Sequence, residues 1–269
     1  MKKYAVVTGG SVGIGLSIAK KFGQENYKVY LVDKYEKELE KSHKDLLSFK
    51  IDCEVIKCDI RYWDSPETIF SKIPAVQGDW VVLINNAGVK NKVNLLTESE
   101  STWIESITVM LQSPFRLSQY FIDLSTKIKF EGSICNIGSI ASNLVSQQSP
   151  AYHVAKAGLA GLTNYLAVTA FRAGAKIKTN LVEPGLIIQD RHLNIYSNIK
   201  NIDYVRATRF YQPGGEVGRE NDVAEAVFWI CSDKSKYING VTLKIDGGGS
   251  LQEQFELLEK LSKGISKNK

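Results

Sequence analysis

Short runs of apolar, β-branched residues alternate along this chain with segments of helical periodicity. The helical segments repeat apolar residues at helical spacing, as at Leu16, Ala19 and Phe22. Strands that alternate with helices favour a parallel sheet covered on both faces, because a right-handed crossover returns each strand to the same edge. The pattern predicts an α/β fold, a doubly wound parallel sheet of about seven strands with helices on both faces. The predicted strands are residues 4–8, 28–32, 54–57, 80–84, 133–137, 177–182 and 241–245.

The length and composition are those of a soluble globular protein. The chain has 269 residues, 43% hydrophobic and 23% charged, with no linker, low-complexity tract or repeat that would divide it. We expect one domain over residues 1–250 and a C-terminal helical extension with a basic tail over residues 251–269. Apolar residues at helical spacing mark the extension, namely Leu251, Phe255, Leu258 and Leu261.

Charge, cysteine usage and hydropathy exclude several classes of protein. The net charge of +5 arises from 34 basic and 29 acidic residues spread along the chain, which argues against nucleic acid as a partner. The four cysteines form no C-x-x-C pair and lie near no suitable histidines, so we expect no metal. No stretch approaches the roughly 20 apolar residues that span a membrane, and the N-terminus shows no signal-peptide core. We therefore expect a cytoplasmic protein that is not bound to a membrane.

A glycine-rich turn follows the first predicted strand, in the segment TGGSVGIG. Gly9, Gly13 and Gly15 would permit a tight turn and leave the N-terminus of the next helix facing a phosphate. The turn predicts a dinucleotide-binding site, to which Ser11 and Ile14 also belong. A simple strand-to-helix turn has the same composition, so the signal is weak when taken alone.

An acidic residue closes the second predicted strand. Asp33 lies 18 residues past Gly15, close to the spacing of about 20 at which a carboxylate binds an adenosine ribose. A carboxylate accepts hydrogen bonds from the ribose hydroxyls and repels a 2′-phosphate, which favours NAD over NADP. Lys34 is the argument for NADP, because a lysine beside the ribose tolerates that phosphate.

Two further strand ends carry residues that suit the same ligand. Asp59, which Ile60 follows, comes after the third predicted strand, where its carboxylate can meet an adenine amino group. Asn86, Ala87 and Gly88 come after the fourth strand, and small or amide-bearing residues suit the close passage of a cofactor. Either segment taken alone is also an ordinary turn.

Taken in order, these segments resemble the short-chain dehydrogenase/reductase family, in its compact single-domain branch, from Lys3 to Gly248. The resemblance implies a Rossmann-like fold, a homodimer or homotetramer, and an NAD(P)-dependent oxidoreductase that acts on CH–OH groups of a small-molecule substrate. The residues that carry it are TGGSVGIG, Asp59, NNAG, Ser139, Tyr152-x-x-x-Lys156, Pro184–Gly185 and Asp246–Gly248. Three of the predicted cofactor contacts come from the same resemblance: Pro184, Gly185 and Ile187.

The resemblance also implies catalytic roles for three residues. Tyr152 would be the general acid/base, because Lys156 lies one helical turn away and brings an ammonium close to the phenol. A free tyrosine has a pKa of about 10, and a nearby cation favours the phenolate. Ser139 would hydrogen-bond the substrate oxygen, and Lys156 would also bind the nicotinamide ribose.

The chain departs from the family pattern at two positions. Met110 stands where the family commonly has an asparagine that seats a water on the lysine, and a thioether cannot replace an amide. Three explanations remain open: another water path, a substitute such as Gln112 or another polar side chain, or activity that is reduced or lost. We expect an active enzyme, because the hydride-transfer residues are intact. At the second position, Gln189 stands where a threonine often touches the nicotinamide amide.

By the same resemblance, residues 186–213 form a variable cover over the substrate. The segment is rich in aromatic and basic side chains, which suit a polar or anionic substrate such as a sugar or a nucleotide-bearing molecule. An amphipathic lid with a solvated basic face has the same composition. The leading prediction is an NAD(H)-dependent oxidoreductase that interconverts a secondary alcohol and a ketone. The alternatives are an NADPH-dependent 3-oxoacyl-thioester reductase and a catalytically impaired nucleotide-binding protein.

Overall fold

Strands and helices alternate in the computed structural model, which describes residues 1–89, 93–189 and 212–252. The strands, in chain order, are β1 Lys3–Thr8, β2 Lys28–Asp33, β3 Cys53–Lys57, β4 Trp80–Asn85, β5 Glu131–Ile137, β6 Ile177–Pro184, β7 Ile187–Ile188, β8 Gly218–Arg219 and β9 Thr242–Ile245.

The helices occupy the connections between these strands. The α-helices are α1 Gly13–Gln24, α2 Glu36–Ser48, α3 Ser65–Phe70, α4 Glu100–Ile107, α5 Ser113–Ile128, α6 Pro150–Arg172 and α7 Glu220–Cys231. A π-helical turn, Thr108–Gln112, joins α4 to α5, and a short 3-10 helix, Ile140–Ser142, follows β5.

The main sheet has seven strands in the order β3-β2-β1-β4-β5-β6-β9, and every pairing between neighbours is parallel. The prediction of a doubly wound parallel sheet is therefore confirmed, and each predicted strand overlaps an observed one. The strand order reverses between β1 and β4, because the chain crosses to the other side of β1 after completing β3. The short strands β7 and β8 pair separately.

Two apolar cores cover the two faces of this sheet, and strand alternation explains the division. Ala5 and Val7 of β1 pack with α1, α2 and α7, whereas Tyr4 and Val6 pack with α3, α5 and α6. All four side chains are buried. A strand buried on both faces reads as a continuous apolar run, which is why the sequence pattern located these strands well.

Two predicted segments lie mainly outside the described residues. Of the substrate cover predicted over residues 186–213, positions 190–211 are not described, and of the C-terminal extension, positions 253–269 are not described. The domain boundary at residue 250 stays a prediction. Among the described helices, none is both long and apolar enough to cross a lipid bilayer.

The close approach of β4 and β5 generates a test of the sheet. A Cβ on Gly132 would lie 1.8 Å from the carbonyl oxygen of Val81, so we expect Gly132→Ala to cost about 3 kcal/mol or more of unfolding free energy. Gly161→Ala is the matched control, because its added Cβ meets no atom within 4 Å beyond the neighbouring backbone of its own helix, and α6 should gain about 0.5–1 kcal/mol. Urea unfolding of both variants measures this; equal stabilities would contradict the register between β4 and β5.

Candidate active site

A cleft of about 790 Å³ crosses the carboxyl edge of the main sheet, at the place where the strand order reverses. The sequence-predicted site residues line it, with one exception. They are Gly9, Gly13, Ile14, Gly15, Asp33, Asp59, Ile60, Asn86, Ala87, Gly88, Ser139, Tyr152, Lys156, Pro184, Gly185 and Ile187. The structure thus brings together side chains that the chain separates by more than a hundred positions.

The glycine-rich turn is packed against the loop that follows β4. The Asn86 side-chain amide donates to the carbonyl oxygens of Thr8 at 2.9 Å and of Gly9 at 3.1 Å. A Cβ on Gly15 would lie 2.1 Å from the Gly9 carbonyl oxygen, so no larger residue fits there. These contacts hold two predicted cofactor segments in one arrangement.

The N-terminus of α1 opens into this cleft, and the residues that begin the helix bring no capping or acidic side chain to it. The residue before the helix, Val12, makes no capping bond, and the first turn contains no acidic residue. The first N–H groups of a helix have no partner within the helix, and together with the positive end of the helix dipole they favour an anion such as a phosphate. This end of the cleft therefore fits a pyrophosphate.

Ser11 is the exception among the predicted cofactor contacts, because it does not line the cleft. It is buried, and its hydroxyl donates to Oδ2 of Asp33 at 2.5 Å. The backbone amide of Lys34 donates to the other oxygen of the same carboxylate at 2.8 Å. Ser11 thus orients the acid that the sequence predicts at the ribose, a role that spacing alone did not reveal.

An arginine that sequence reasoning missed holds the other predicted acid. The guanidinium of Arg61 binds the Asp59 carboxylate, with its Nε at 3.0 Å from Oδ2 and an NH2 group at 2.7 Å. Burial favours a higher pKa for Asp59, but the hydrogen bonds and charge of Arg61 outweigh it and lower the pKa. Arg61 also pairs with Glu105, which lines the cleft. The Asp-x-Arg spacing was the available signal.

The three predicted catalytic residues converge on one wall of the cleft. Ser139 follows β5, and its hydroxyl lies within hydrogen-bonding reach of the Tyr152 phenol. Ser149 caps the N-terminus of α6: its hydroxyl oxygen accepts a hydrogen bond from the backbone N–H of Tyr152 at 3.2 Å. This cap fixes Tyr152 in the first turn of the helix. Lys156 is buried, donates to the Ile137 carbonyl at 2.6 Å, and lies 5.7 Å from the centroid of the Tyr152 ring.

Burial controls the protonation of this pair. It raises the pKa of the Tyr152 phenol, an effect that the hydrogen bond from Ser139 only partly offsets. It lowers the pKa of the Lys156 ammonium to about 8, against the raising effect of Glu183. In the chain by itself the pKa of Tyr152 is therefore raised, and the influence that opposes burial comes from Ser139. The expectation that Lys156 favours the phenolate stays a prediction.

The two departures from the family pattern have distinct surroundings. Met110 is buried in the π-helical turn and lines the cleft, where its Sδ lies 3.7 Å from the place of a Cβ on Gly88. Gln112 is exposed and is not among the residues of the cleft, so its position does not support a substitution for the missing amide. Gln189 lies against the glycine turn, with its Oε1 3.2 Å from the place of a Cβ on Gly13.

Comparison with known proteins assigns this architecture to a family. A family model described as enoyl-(acyl carrier protein) reductase matches residues 9–250. The chain belongs to the short-chain dehydrogenase/reductase family. It is accordingly an oxidoreductase that acts on CH–OH groups, and members of this family use NAD or NADP. The open helix terminus and the glycine turn described above fit such a dinucleotide.

Two relatives show how similar other short-chain dehydrogenases/reductases are to this chain. The 3-oxoacyl-(acyl-carrier-protein) reductase FabG of Chlamydia muridarum is 33% identical over 251 residues, which cover 92% of this chain and 97% of the relative. An oxidoreductase of Schizosaccharomyces pombe is 31% identical over 249 residues, covering 91% of this chain and 90% of the relative.

Solved structures agree with the fold. The acetoin dehydrogenase YohF from Salmonella typhimurium has a TM-score of 0.80 at 26% identity, covering 94% of this chain and 98% of its own. A gluconate dehydrogenase from Agrobacterium tumefaciens, described as putative, has a TM-score of 0.82 at 21% identity, covering 93% of this chain and 97% of its own, and supports the fold alone.

The buried ammonium generates a test that does not depend on a substrate. Lys156 has a pKa of about 8 in the folded chain, against 10.5 ordinarily, so below pH 8 the fold bears the cost of burying a charge. Between pH 8 and 10.5 the unfolded chain binds more protons than the folded one, so this cost declines as pH rises. We expect the midpoint of urea unfolding of Lys156→Met, measured against the wild type, to fall steadily as the pH rises across that window, because the wild type gains stability there.

The control for this test is Lys44→Met, because Lys44 is an exposed lysine of α2. Its effect on the urea midpoint should not vary across the same pH window. A difference in midpoint between Lys156→Met and the wild type that is constant from pH 7 to pH 10.5 would show that Lys156 is not buried as an ammonium.

Proposed function

We propose that this chain is an NAD(H)-dependent oxidoreductase that interconverts a secondary alcohol and a ketone on a polar small molecule. The observation that carries the proposal is the convergence of Ser139, Tyr152 and Lys156 on one wall of the cleft, opposite the glycine turn. A protein that only binds a nucleotide does not need a phenol and a serine hydroxyl that meet at the same point. The cofactor would lie along the edge from Asp33 to that wall.

In this proposal the chain orients the substrate and moves one proton. The hydroxyls of Ser139 and Tyr152 both reach the substrate oxygen, which holds the reacting carbon in place. Tyr152 gives its proton to that oxygen during reduction and takes it during oxidation. Lys156 places a positive charge behind the phenol and hydrogen-bonds the end of β5. A bound nicotinamide would supply or accept the hydride.

Removing the phenol hydroxyl tests the proposed acid/base. We expect Tyr152→Phe to lower kcat by about 10²–10⁴-fold, which is the usual contribution of a positioned acid or base, with little change in the dissociation constant of NADH. Tyr237→Phe is the control, because Tyr237 is 100% exposed and does not line the cleft. The assay follows NADH absorbance on a panel of sugars, polyols and secondary alcohols.

Two results would count against acid/base catalysis by Tyr152. Unchanged turnover of a genuine substrate by Tyr152→Phe would remove the residue from the mechanism. Cofactor binding without turnover on the whole panel would instead favour the impaired nucleotide-binding protein, which the buried Met110 motivates.

The preference for NAD over NADP is supported by the carboxylate of Asp33. It stands at the end of β2 in the cleft and is held by Ser11 and the Lys34 amide, so its orientation is restrained. A carboxylate at this place accepts hydrogen bonds from the ribose hydroxyls of NAD and repels the 2′-phosphate of NADP. The Lys34 side chain also lines the cleft and is the opposing influence. A 2-deoxy-D-gluconate 3-dehydrogenase from Agrobacterium tumefaciens, described as putative and 25% identical, was solved with bound NADP.

The cofactor preference is tested by removing that charge. We expect the wild-type protein to bind NADH more tightly than NADPH, and Asp33→Ser to reduce the ratio about tenfold, equivalent to about 1.4 kcal/mol. Asp52→Ser, an exposed acid just before β3 that lies outside the cleft, is the control and should leave the ratio unchanged. Fluorescence titration with each dinucleotide measures both constants. A wild-type preference for NADPH would overturn this argument.

A second candidate function is the NADPH-dependent reduction of a 3-oxoacyl thioester. It is favoured by the 31–33% identity to the FabG reductases of Chlamydia muridarum and Staphylococcus epidermidis. The polar substrate is favoured by Ser146, Gln148 and Gln189, which line the cleft. An acetoacetyl thioester belongs in the same assay panel: turnover of the thioester with NADPH and of no sugar or polyol would select the second candidate.

We also propose a homodimer or homotetramer. Tyr165, Val168 and Phe171 of α6 lie at helical spacing and are 65%, 50% and 53% exposed, which is an apolar stripe suited to contact with another copy. The cytoplasmic location remains a prediction from the sequence.

A further inference from the structure

We propose that Glu183 is a positioning residue of this site, which anchors the loop bearing Ser139 and stabilises the charged form of Lys156. The inference deepens the proposed function and rests on it for its catalytic consequence. Glu183 was not among the residues that the sequence or the family resemblance singled out. Glu183 directly precedes Pro184 at the end of β6. This position brings its side chain under the wall of the cleft that carries Ser139, Tyr152 and Lys156.

The first step is the burial of the carboxylate. Glu183 is fully buried at 0% exposure, where an ionised group is costly unless something compensates for it. The Ser142 hydroxyl donates to Oε1, whereas Oε2 has no hydrogen-bond partner among the described residues. A buried carboxylate that is only half satisfied is unusual in a sheet and calls for an electrostatic reason.

The loop that bears Ser139 passes over the Glu183 side chain. The Gly138 amide donates to the Val182 carbonyl at 2.7 Å, and a Cβ on Gly138 would lie 3.0 Å from Cγ of Glu183. The glutamate stem therefore runs directly beneath the residue before Ser139. At the other end of the loop, Ser142 is tied to the carboxylate itself. Ser139 is held between two attachments to β6.

The ammonium of Lys156 lies on the same side of the sheet as Glu183. Lys156 donates to the carbonyl of Ile137, the last residue of β5, which pairs in register with Val182 of β6. Glu183 follows Val182, so the carboxylate and the ammonium both lie under the ends of adjacent strands. Burial lowers the pKa of Lys156, and the charge of Glu183 opposes that shift.

Other titratable groups around the ammonium do not take this part. Its own helix contributes Tyr152, a phenol that is uncharged near neutral pH and whose pKa burial raises further. The π-helical turn packs against α6 and contributes Met110, which carries no charge. Asp246, at the end of β9, turns its carboxylate to backbone amides of its own loop. Among the described residues, Glu183 is the anion whose field acts on Lys156.

This arrangement bears on the asparagine that the chain lacks. With a thioether at position 110, the α5 side of the cleft offers Lys156 no amide, and the polar support described here comes from β6 instead. Two distinct interactions carry it, a hydrogen bond to Ser142 and a charge facing Lys156. Two variants can separate them.

Glu183→Gln removes the charge and keeps an acceptor for Ser142. We expect the pKa of Lys156 to fall further below about 8, since the effect that raises it is gone. The direct measurement is a pH titration of 13Cε-labelled lysine by NMR on the protein without substrate, with Lys156→Met assigning the signal. In the enzyme assay, the alkaline limb of the kcat/KM profile should move to lower pH by the same amount.

Ser142→Ala is the matched variant, because it removes the hydrogen bond and keeps the charge. We expect the Lys156 titration to stay at its wild-type value while kcat falls several-fold through the loosened Ser139 loop, with the NADH dissociation constant unchanged. Should Glu183→Gln not fold, Glu183→Asp replaces it: the shorter acid keeps the charge, so Lys156 should titrate as in wild type while kcat falls as in Ser142→Ala.

Each half of the proposal has a result that overturns it. If the pKa of Lys156 is unchanged in Glu183→Gln, or is shifted in Glu183→Asp, then the charge of Glu183 does not act on Lys156 and the electrostatic half of the proposal is wrong. If kcat is unchanged in Ser142→Ala, then the hydrogen bond from Ser142 to Glu183 does not position the Ser139 loop, and that half of the proposal is wrong. Because the NMR titration needs no turnover, a shift in Glu183→Gln would stand even if Tyr152→Phe showed that the proposed catalytic function is wrong.

Discussion

Parallel pairing of β4 with β5 and of β5 with β6 is the constraint on which the proposed catalytic wall of the cleft depends. It brings the ends of these strands to one edge, so that Ser139, the Ile137 carbonyl and Glu183 stand beside one another. The helix α6 then lies across this edge and adds Tyr152 and Lys156 to the same wall. The reversal of strand order at β1 and β4 opens the space for a dinucleotide next to it.

Burying Tyr152 and Lys156 costs free energy, and the same desolvation shifts the pKa values of both groups. A lysine with a pKa near 8 and a tyrosine with a raised pKa are both less inclined to ionise than they would be in water. Such perturbed pairs are characteristic of sites that move protons near neutral pH. The buried Glu183 carboxylate limits how far the ammonium is discharged, which is why we treat it as part of the site.

The substitution at position 110 occurs where the backbone is also irregular. Met110 lies in the π-helical turn between α4 and α5, a local widening of the helix that is frequent at functional sites. Its side chain fills the space beside Gly88 with apolar volume. The proposed acid/base pair is thus present in altered surroundings, with a polar group on β6 and an apolar group on the π-helical turn near the lysine.

Local patterns in the sequence determined the strands, the glycine turn and the spacing of Tyr152 and Lys156, because these depend on periodicity and backbone geometry within a few residues. Tertiary structure decided which polar side chains meet. Ser11 bonds Asp33, Arg61 holds Asp59, and Ser142 reaches Glu183 from separate elements. The pKa directions of the catalytic pair also belong to the tertiary structure, because burial is a property of the folded surroundings and not of residue spacing.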